Sequence, residues 1–397
     1  MTLKVLYTLV ILSIMVATSS AISAVLPSWL PLGTPILHSY VVAISASSST
    51  NTNIIAYGAS DVSPDDTTTR ILSWNGTSWL LIGQHTPQYA QPYEHFSLKV
   101  RDESLNLGLV INPSDSAAAG LSSVLRNVSS KISDGFEGCY AFQGVVYDYD
   151  VAKDGSIRVA VTPDNTTLGI MSYSASGYSS YPAGDAWSNL TVVVSNSVAI
   201  TAIAVARAHD ETLLVVWTDN SGHLELGLTT LTSSTMWYSY GAPFSKSTSL
   251  SVGTSPSIAW AGNVTCIAAY TNIGDLIGTC SRDLDGNFID TIILLSQMNT
   301  NFTPGIAARV LPDGSVRVIF TAVTAETGNV IQSTTCLIAN FGLPLCVPTS
   351  LTPLSFESNI NDLSMHGTPN TDPVLAVSIG PADGTGDALV VFSIPLA

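Results

Sequence analysis

Basic residues are scarce in this chain. Lys and Arg number 13 among 397 residues, against 29 Asp and Glu, which leaves a formal net charge of −16. Nucleic acid and anionic membrane surfaces are held through basic patches, so neither is an expected partner. Charge of either sign is thin at 11%, while 46% of residues are hydrophobic, a balance that argues against disorder. Helical periodicity is nearly absent beyond residue 21. Cys-x-x-Cys is absent too, so the five cysteines signal neither a zinc site nor a thioredoxin-like motif. Gly-x-Ser-x-Gly and His-Glu-x-x-His are missing, which removes the usual signatures of a hydrolase nucleophile elbow and of a zinc protease. His38, His85, His95, His209, His223 and His366 are scattered without metal-ligand spacing.

One apolar run stands out, at the N-terminus. Lys4 precedes a stretch from Val5 to Ala17, and small residues follow. This is the layout of a secretion signal over 1–21, cleaved after Ala21. The run is too short for the roughly 20 residues of a spanning helix, so no membrane insertion is expected after cleavage. A secreted chain is open to N-glycosylation, and the acceptor pattern occurs at Asn75, Asn127, Asn165, Asn189, Asn263 and Asn301.

The rest of the chain, 22–397, reads as one repeating domain. Short alternating strands recur with polar turns between them. The clearest line is NIIAYGA, LGLVINP, IRVAVTP, TLLVVWTD, TCIAAYT, VRVIFTAV and PVLAVSIG, seven segments roughly 50 residues apart. A first strand precedes each and a third follows, joined by turns such as Lys153–Ser156 (KDGS) and Pro312–Ser315 (PDGS), where Asp-Gly supplies the positive φ of a tight hairpin. Four-stranded units at this period predict an all-β fold, a seven-bladed β-propeller of antiparallel blades. The blades fall at about 37–93, 94–145, 146–197, 198–254, 255–302, 303–357 and 358–397.

The fourth strands carry a Trp-x-x-x-Gly echo: Trp79/Gly83 and Trp237/Gly241, with Trp187 opening another. The last repeat ends after its third strand, and residues 28–36 (SWLPLGTPI) carry the same echo, Trp29/Gly33, with no unit of their own. The spare strand is therefore expected to complete the last blade and close the ring, which removes an open edge. The cysteines fit this frame. Cys266 and Cys280 fall on strands two and three of the fifth repeat, and Cys336 and Cys346 on strands three and four of the sixth. Both pairs are expected as cross-strand disulfides, leaving Cys139 over.

The segment Arg70–Gly83 (RILSWNGTSWLLIG) resembles the W-N-G-x-x-W-x-x-x-G unit of secreted and bacterial surface propellers, some of them lectin-like. That resemblance implies recognition, with a glycan or an extracellular protein as partner. Fucose-lectin propellers repeat an Arg, a Glu and an aromatic in each blade, and no such set recurs here. Arg101, Arg207 and Arg309 each end a first strand, and first strands line the channel of a propeller. Three arginines around one cavity would hold a carboxylate, as in sialidases. Tyr147 or Tyr149 would then be the nucleophile and Asp148 or Asp150 its partner. Against this, the S-x-D-x-G-x-x-W box of sialidases is missing and the repeats number seven rather than six.

No cofactor is expected. Calcium is the nearest candidate, at Asp283, Asp285 and Asn287 or at Asp148, Asp150 and Asp154, but neither run has the spacing of a compact loop site. The sequence thus points to a secreted, glycosylated recognition module of lectin-like or surface-binding type. A sialidase-like hydrolase or lyase at the channel mouth and a structural, assembly-forming glycoprotein are the alternatives.

Overall fold

The computed structural model describes residues 27–38, 40–48, 53–60, 68–85, 93–101, 106–113, 122–127, 139–140, 146–151, 157–173, 190–207, 212–230, 236–244, 250–251, 254–282, 288, 291–340, 346–381 and 386–395. Over 93–140 it describes the backbone alone. The expected signal segment, Trp187, Asn189, the turn 153–156 and the run 283–287 lie outside the described residues.

Every element among the described residues is a strand and every strand pair is antiparallel. The strands form seven sheets. Sheet 1 joins Tyr40–Ser48, Asn53–Ser60, Thr68–Trp74 and Trp79–His85. Sheet 2 joins Tyr93–Arg101, Asn106–Pro113, Ser122–Asn127 and Cys139–Tyr140. Sheet 3 joins Val146–Val151, Ile157–Thr162, Thr167–Tyr173 and Thr191–Ser195. Sheet 4 joins Ile200–Arg207, Leu213–Asp219, Leu224–Thr230 and Met236–Gly241. Sheet 5 joins Ser257–Ala261, Val264–Tyr270, Leu276–Arg282 and Ile292–Leu295. Sheet 6 joins Gly305–Val310, Val316–Val323 and Val330–Ile338, its fourth place shared by Thr349–Ser350 and Leu354–Ser355. Sheet 7 joins Asn359–His366, Val374–Gly380 and Ala388–Ser393. Its fourth place is taken by the start of the chain, with Leu30 opposite Ser393 and Ile36 opposite Leu389.

Burial explains the order within each sheet. In the sheets whose side chains are described, second strands are covered on both faces, and all of Val264–Tyr270 is buried, which is why these strands read as unbroken apolar runs. Fourth strands lie outermost, and Thr191–Ser195 is exposed or half-buried throughout. Apolar side chains from facing sheets make shared cores. Ile54 and Ile71 of sheet 1 pack with Val374 and Leu389 of sheet 7. Phe320 of sheet 6 packs with Cys266 and Tyr270 of sheet 5. Trp217 of sheet 4 packs with Ala160 and Ile170 of sheet 3.

The expected hairpin at Pro312–Ser315 is present. Gly314 has φ +77° there, and the Asp313 carboxylate accepts the Ser315 N–H at 2.9 Å. Both expected disulfides form. Cys266 and Cys280 sit directly opposite on neighbouring strands, with Cα atoms 4.1 Å apart. Cys336 joins Cys346 at 5.1 Å, but Cys346 lies ahead of Thr349–Ser350 rather than on the fourth strand. The Val347-Pro348 step explains the offset, since a proline cannot donate to a ladder. Two disulfides are consistent with an oxidising, extracellular compartment. No helix among the described residues is long and apolar enough to cross a membrane.

Candidate functional site

A cavity of about 670 Å³ lies among the first strands of sheets 1, 3, 4, 5, 6 and 7. The first strand is each sheet's inner edge, so half of its backbone N–H groups have no partner within the sheet. At two junctions, side chains of the preceding sheet supply such partners. Asp362 of sheet 7 accepts the Ile44 N–H of sheet 1 at 3.0 Å on Oδ2, and the N–H of its own neighbour Leu363 at 2.8 Å on Oδ1. Asp148 of sheet 3 repeats the arrangement, accepting the Val205 N–H of sheet 4 at 2.8 Å and the Tyr149 N–H at 2.8 Å.

The capping continues along the same strand face. Ser364 accepts the Ala46 N–H at 3.1 Å, and the His366 Nδ1 lies 3.3 Å from the Ser47 hydroxyl. Residues 362, 364 and 366 alternate, as a strand requires for one face. The pairs 362/44, 364/46 and 366/47 step forward together, so the first strands run side by side in one direction. Asp387, fully buried, holds the same seam further along by accepting the Val41 N–H at 2.8 Å and an Asn361 side-chain N–H at 3.1 Å.

These contacts locate the residues singled out by sequence. Asp148, Asp150 and Arg207 all line the cavity. Arg207 is 4% exposed, and its Nη2 donates to the Asp150 carbonyl at 3.1 Å. Arg309 is directed elsewhere, in an ion pair with Asp372 of the turn that follows the first strand of sheet 7. Tyr149 is fully buried on the opposite alternation from Asp148 and Asp150, so its hydroxyl is not presented to the cavity. Arg101 and Tyr147 lie on first strands, and their side chains are outside the described residues. Among the described residues no three His, Cys, Asp or Glu side chains converge on a metal position. Of the glycan acceptors, Asn75, Asn165, Asn263 and Asn301 are exposed, and Asn301 also lines the cavity. Asn127 ends a strand of sheet 2, with its side chain outside the described residues.

Sequence reasoning missed Asp362, Trp260 and Phe302, all of which line the cavity. Burial pushes the Asp362 carboxyl up to about 7, against the two N–H donors that favour its ionised form. The N-D-L-S-M-H alternation carried the signal for Asp362: three polar residues on one face of a strand otherwise set against a core.

No protein-family model matches the chain, and no curated protein is similar to it in sequence. Solved structures are similar in fold. The BP39L lectin from Burkholderia pseudomallei aligns over 90% of this chain and 98% of its own, at 14% identity and a TM-score of 0.56. AofleA from Arthrobotrys oligospora aligns over 81% of this chain and 92% of its own, at 10% identity and a TM-score of 0.50. The K499G mutant of the NanB sialidase from Streptococcus pneumoniae aligns over 90% of this chain and 69% of its own, at 11% identity and a TM-score of 0.50. The neighbours are propeller-type lectin and sialidase folds. At these identities the likeness is one of fold, and function has to come from the site.

Proposed function

We propose that the seven sheets are the blades of a single β-propeller over residues 22–397, closed by residues 28–36. We further propose that the protein is a secreted, N-glycosylated recognition module that binds carbohydrate, free or on an extracellular protein. The ring is supported by the pairing of Leu30–Pro31 and Ile36–Leu37 with the last strand, and by cores shared between sheets 3 and 4, 4 and 5, 5 and 6, 6 and 7, and 7 and 1. Secretion and glycosylation are supported by the signal-like start, the disulfides and the exposed acceptor asparagines.

One observation carries the preference for binding over hydrolysis. Asp148 and Asp362 line the cavity, yet each carboxylate holds backbone N–H groups on both oxygens. A retaining glycosidase needs a nucleophile and an acid whose oxygens reach the substrate. Here those acids join neighbouring sheets. Arg309, held by Asp372, further weakens a three-arginine clamp.

A glycan array, run in parallel with fluorogenic glycoside hydrolysis, separates the readings. Saturable glycan binding with no turnover is the expected result. Turnover of a sialoside or another glycoside would replace the recognition reading with the enzymatic one. Absence of both, with concentration-dependent self-association, would favour the assembly-forming glycoprotein.

A further inference from the structure

Resting on the glycosylation reading, we propose that the glycan on Asn75 is part of the fold: its first sugar, an N-acetylglucosamine, lies on the Trp74 indole and holds the outer hairpin of sheet 1.

Asn75 opens the turn between Thr68–Trp74 and Trp79–His85, and residues 75–78 are all exposed. The last facing pair before the turn is Trp74 with Trp79, their ring centroids 5.2 Å apart. The Asn75 N–H donates to the Ser78 carbonyl at 3.2 Å. Its side-chain Oδ1 accepts the Thr77 N–H at 3.0 Å, the Thr77 hydroxyl at 3.0 Å and the Ser78 N–H at 2.8 Å. The carboxamide is therefore fixed through its oxygen, as Asn fixes many turns. Its nitrogen, Nδ2, is the atom that carries an N-linked sugar, and it donates to no described residue. Nothing lies within 4 Å of the Cβ position of Gly76, so space is open over the turn. A sugar attaches here without breaking any contact of the hairpin.

Of the six acceptors, only Asn75 directly follows an aromatic residue. Neighbouring Cα atoms are about 3.8 Å apart, so a sugar on Asn75 starts within one ring's span of the indole. Trp74 is half-buried: Trp79 lies beside its ring and Gly33 comes close to Cζ3 and Cη2. An indole offers an apolar plane to the C–H face of a pyranose. The acceptors at Asn165 and Asn263 are built differently. At Asn165 the acceptor hydroxyl, that of Thr167, donates to Asp164 at 2.9 Å, and at Asn263 it belongs to Thr265, which is 1% exposed. The W-N-G-x-x-W segment that resembles lectin-like repeats thus holds the protein's own sugar, and the recognition site lies elsewhere.

The test uses the full secreted chain, with every glycan trimmed by an endoglycosidase to its first N-acetylglucosamine. Mass spectrometry reads the occupancy of Asn75. Thermal unfolding compares wild type with Asn75→Asp, which keeps an oxygen acceptor for Thr77 and Ser78 and carries no sugar. The expected result is an occupied Asn75 and a midpoint about 1–2 °C lower in N75D. That loss should persist when N75D is combined with Trp74→Phe and disappear when it is combined with Trp74→Leu. Equal midpoints for wild type and N75D, with Asn75 occupied, overturn the structural role of the sugar and spare the glycosylation reading. An equal loss in the W74L background overturns the stacking on Trp74. An unoccupied Asn75 overturns the inference together with glycosylation at this acceptor.

Discussion

The indole N–H of Trp29 donates to the hydroxyl of Ser333, 304 residues further along the chain, at 3.2 Å. Trp29 belongs to sheet 7 and Ser333 to sheet 6. Trp79 makes the corresponding reach one sheet later, from sheet 1 to the Leu32 carbonyl beside sheet 7, at 2.9 Å. The registers coincide. Leu30 faces Ser393, which faces Val374; Leu80 faces Ser73, which faces Ile54. Trp29 and Trp79 therefore hold the same position in their sheets, and each bonds to the sheet before its own.

Trp29 is 8% exposed and packs with Leu351, Leu375 and Ile394. Trp29→Ala is expected to lower stability by about 3–5 kcal/mol, the usual loss for a large buried aromatic. Trp29→Phe keeps most of the packing but leaves Ser333 without this donor, and should cost less. Urea unfolding of the secreted protein measures both. An unchanged midpoint for W29A would mean that the N-terminal strand adds nothing to the fold.

Gly33 explains why the tryptophan echo ends in glycine here. It has φ +78°, and a Cβ placed on it would lie 2.9 Å from Cζ3 of Trp74 and 3.4 Å from Cδ1 of Trp79. Gly76 also has positive φ, +97°, but nothing lies within 4 Å of its Cβ position. Both Gly→Ala changes carry the backbone strain, about 1 kcal/mol. G33A carries the clash with Trp74 as well. The expected order of unfolding midpoints is wild type, then G76A, then G33A. Equal losses would remove the close approach as a cause.

The disulfide between Cys266 and Cys280 closes a separation of 14 residues between the fully buried strand Val264–Tyr270 and its neighbour, buried from Leu276 to Ser281. A loop of that size contributes about 3 kcal/mol by chain entropy. Reduction should therefore lower the unfolding midpoint, and the Cys266→Ala/Cys280→Ala double variant should be weakened under oxidising conditions too. If reduced and oxidised protein unfold together, the bonds do not contribute to the fold.

The second and third strands were legible because burial on both faces leaves a continuous apolar record. The start of sheet 7's fourth strand was legible from Trp29 and Gly33. The cavity was much less so. Asp148, Asp150 and Arg207 were singled out for chemistry, and they do line it, but the Asp148 carboxylate turns out to cap Val205. Asp362 and Ile44 are 318 residues apart, and no local spacing announces a carboxylate that caps another sheet's edge. Trp260 sits in the short strand SIAWA, whose local pattern does not mark it as lining a cavity. Strand order follows from local pattern, whereas contacts between first strands depend on how whole sheets are arranged.

Asp362 gives a pH prediction with a definite sign. Its carboxyl is raised from 3.8 to about 7 in the folded chain, chiefly by burial. The folded state therefore holds this proton more tightly than the unfolded one. Stability from this group is full below about pH 4 and is lost as pH rises through about 7. Each pKa unit corresponds to about 1.4 kcal/mol, so the group's whole effect is a few kcal/mol at most. Asp362→Asn removes the titration and keeps one acceptor for Ile44 or Leu363. Urea midpoints from pH 4.5 to 8 should fall more steeply in wild type than in D362N, with the two curves converging or crossing near neutrality. Asp387→Asn, at the same seam, serves as a comparison for simple loss of a buried acceptor. Parallel wild-type and D362N curves would show that the carboxylate's desolvation does not govern this seam.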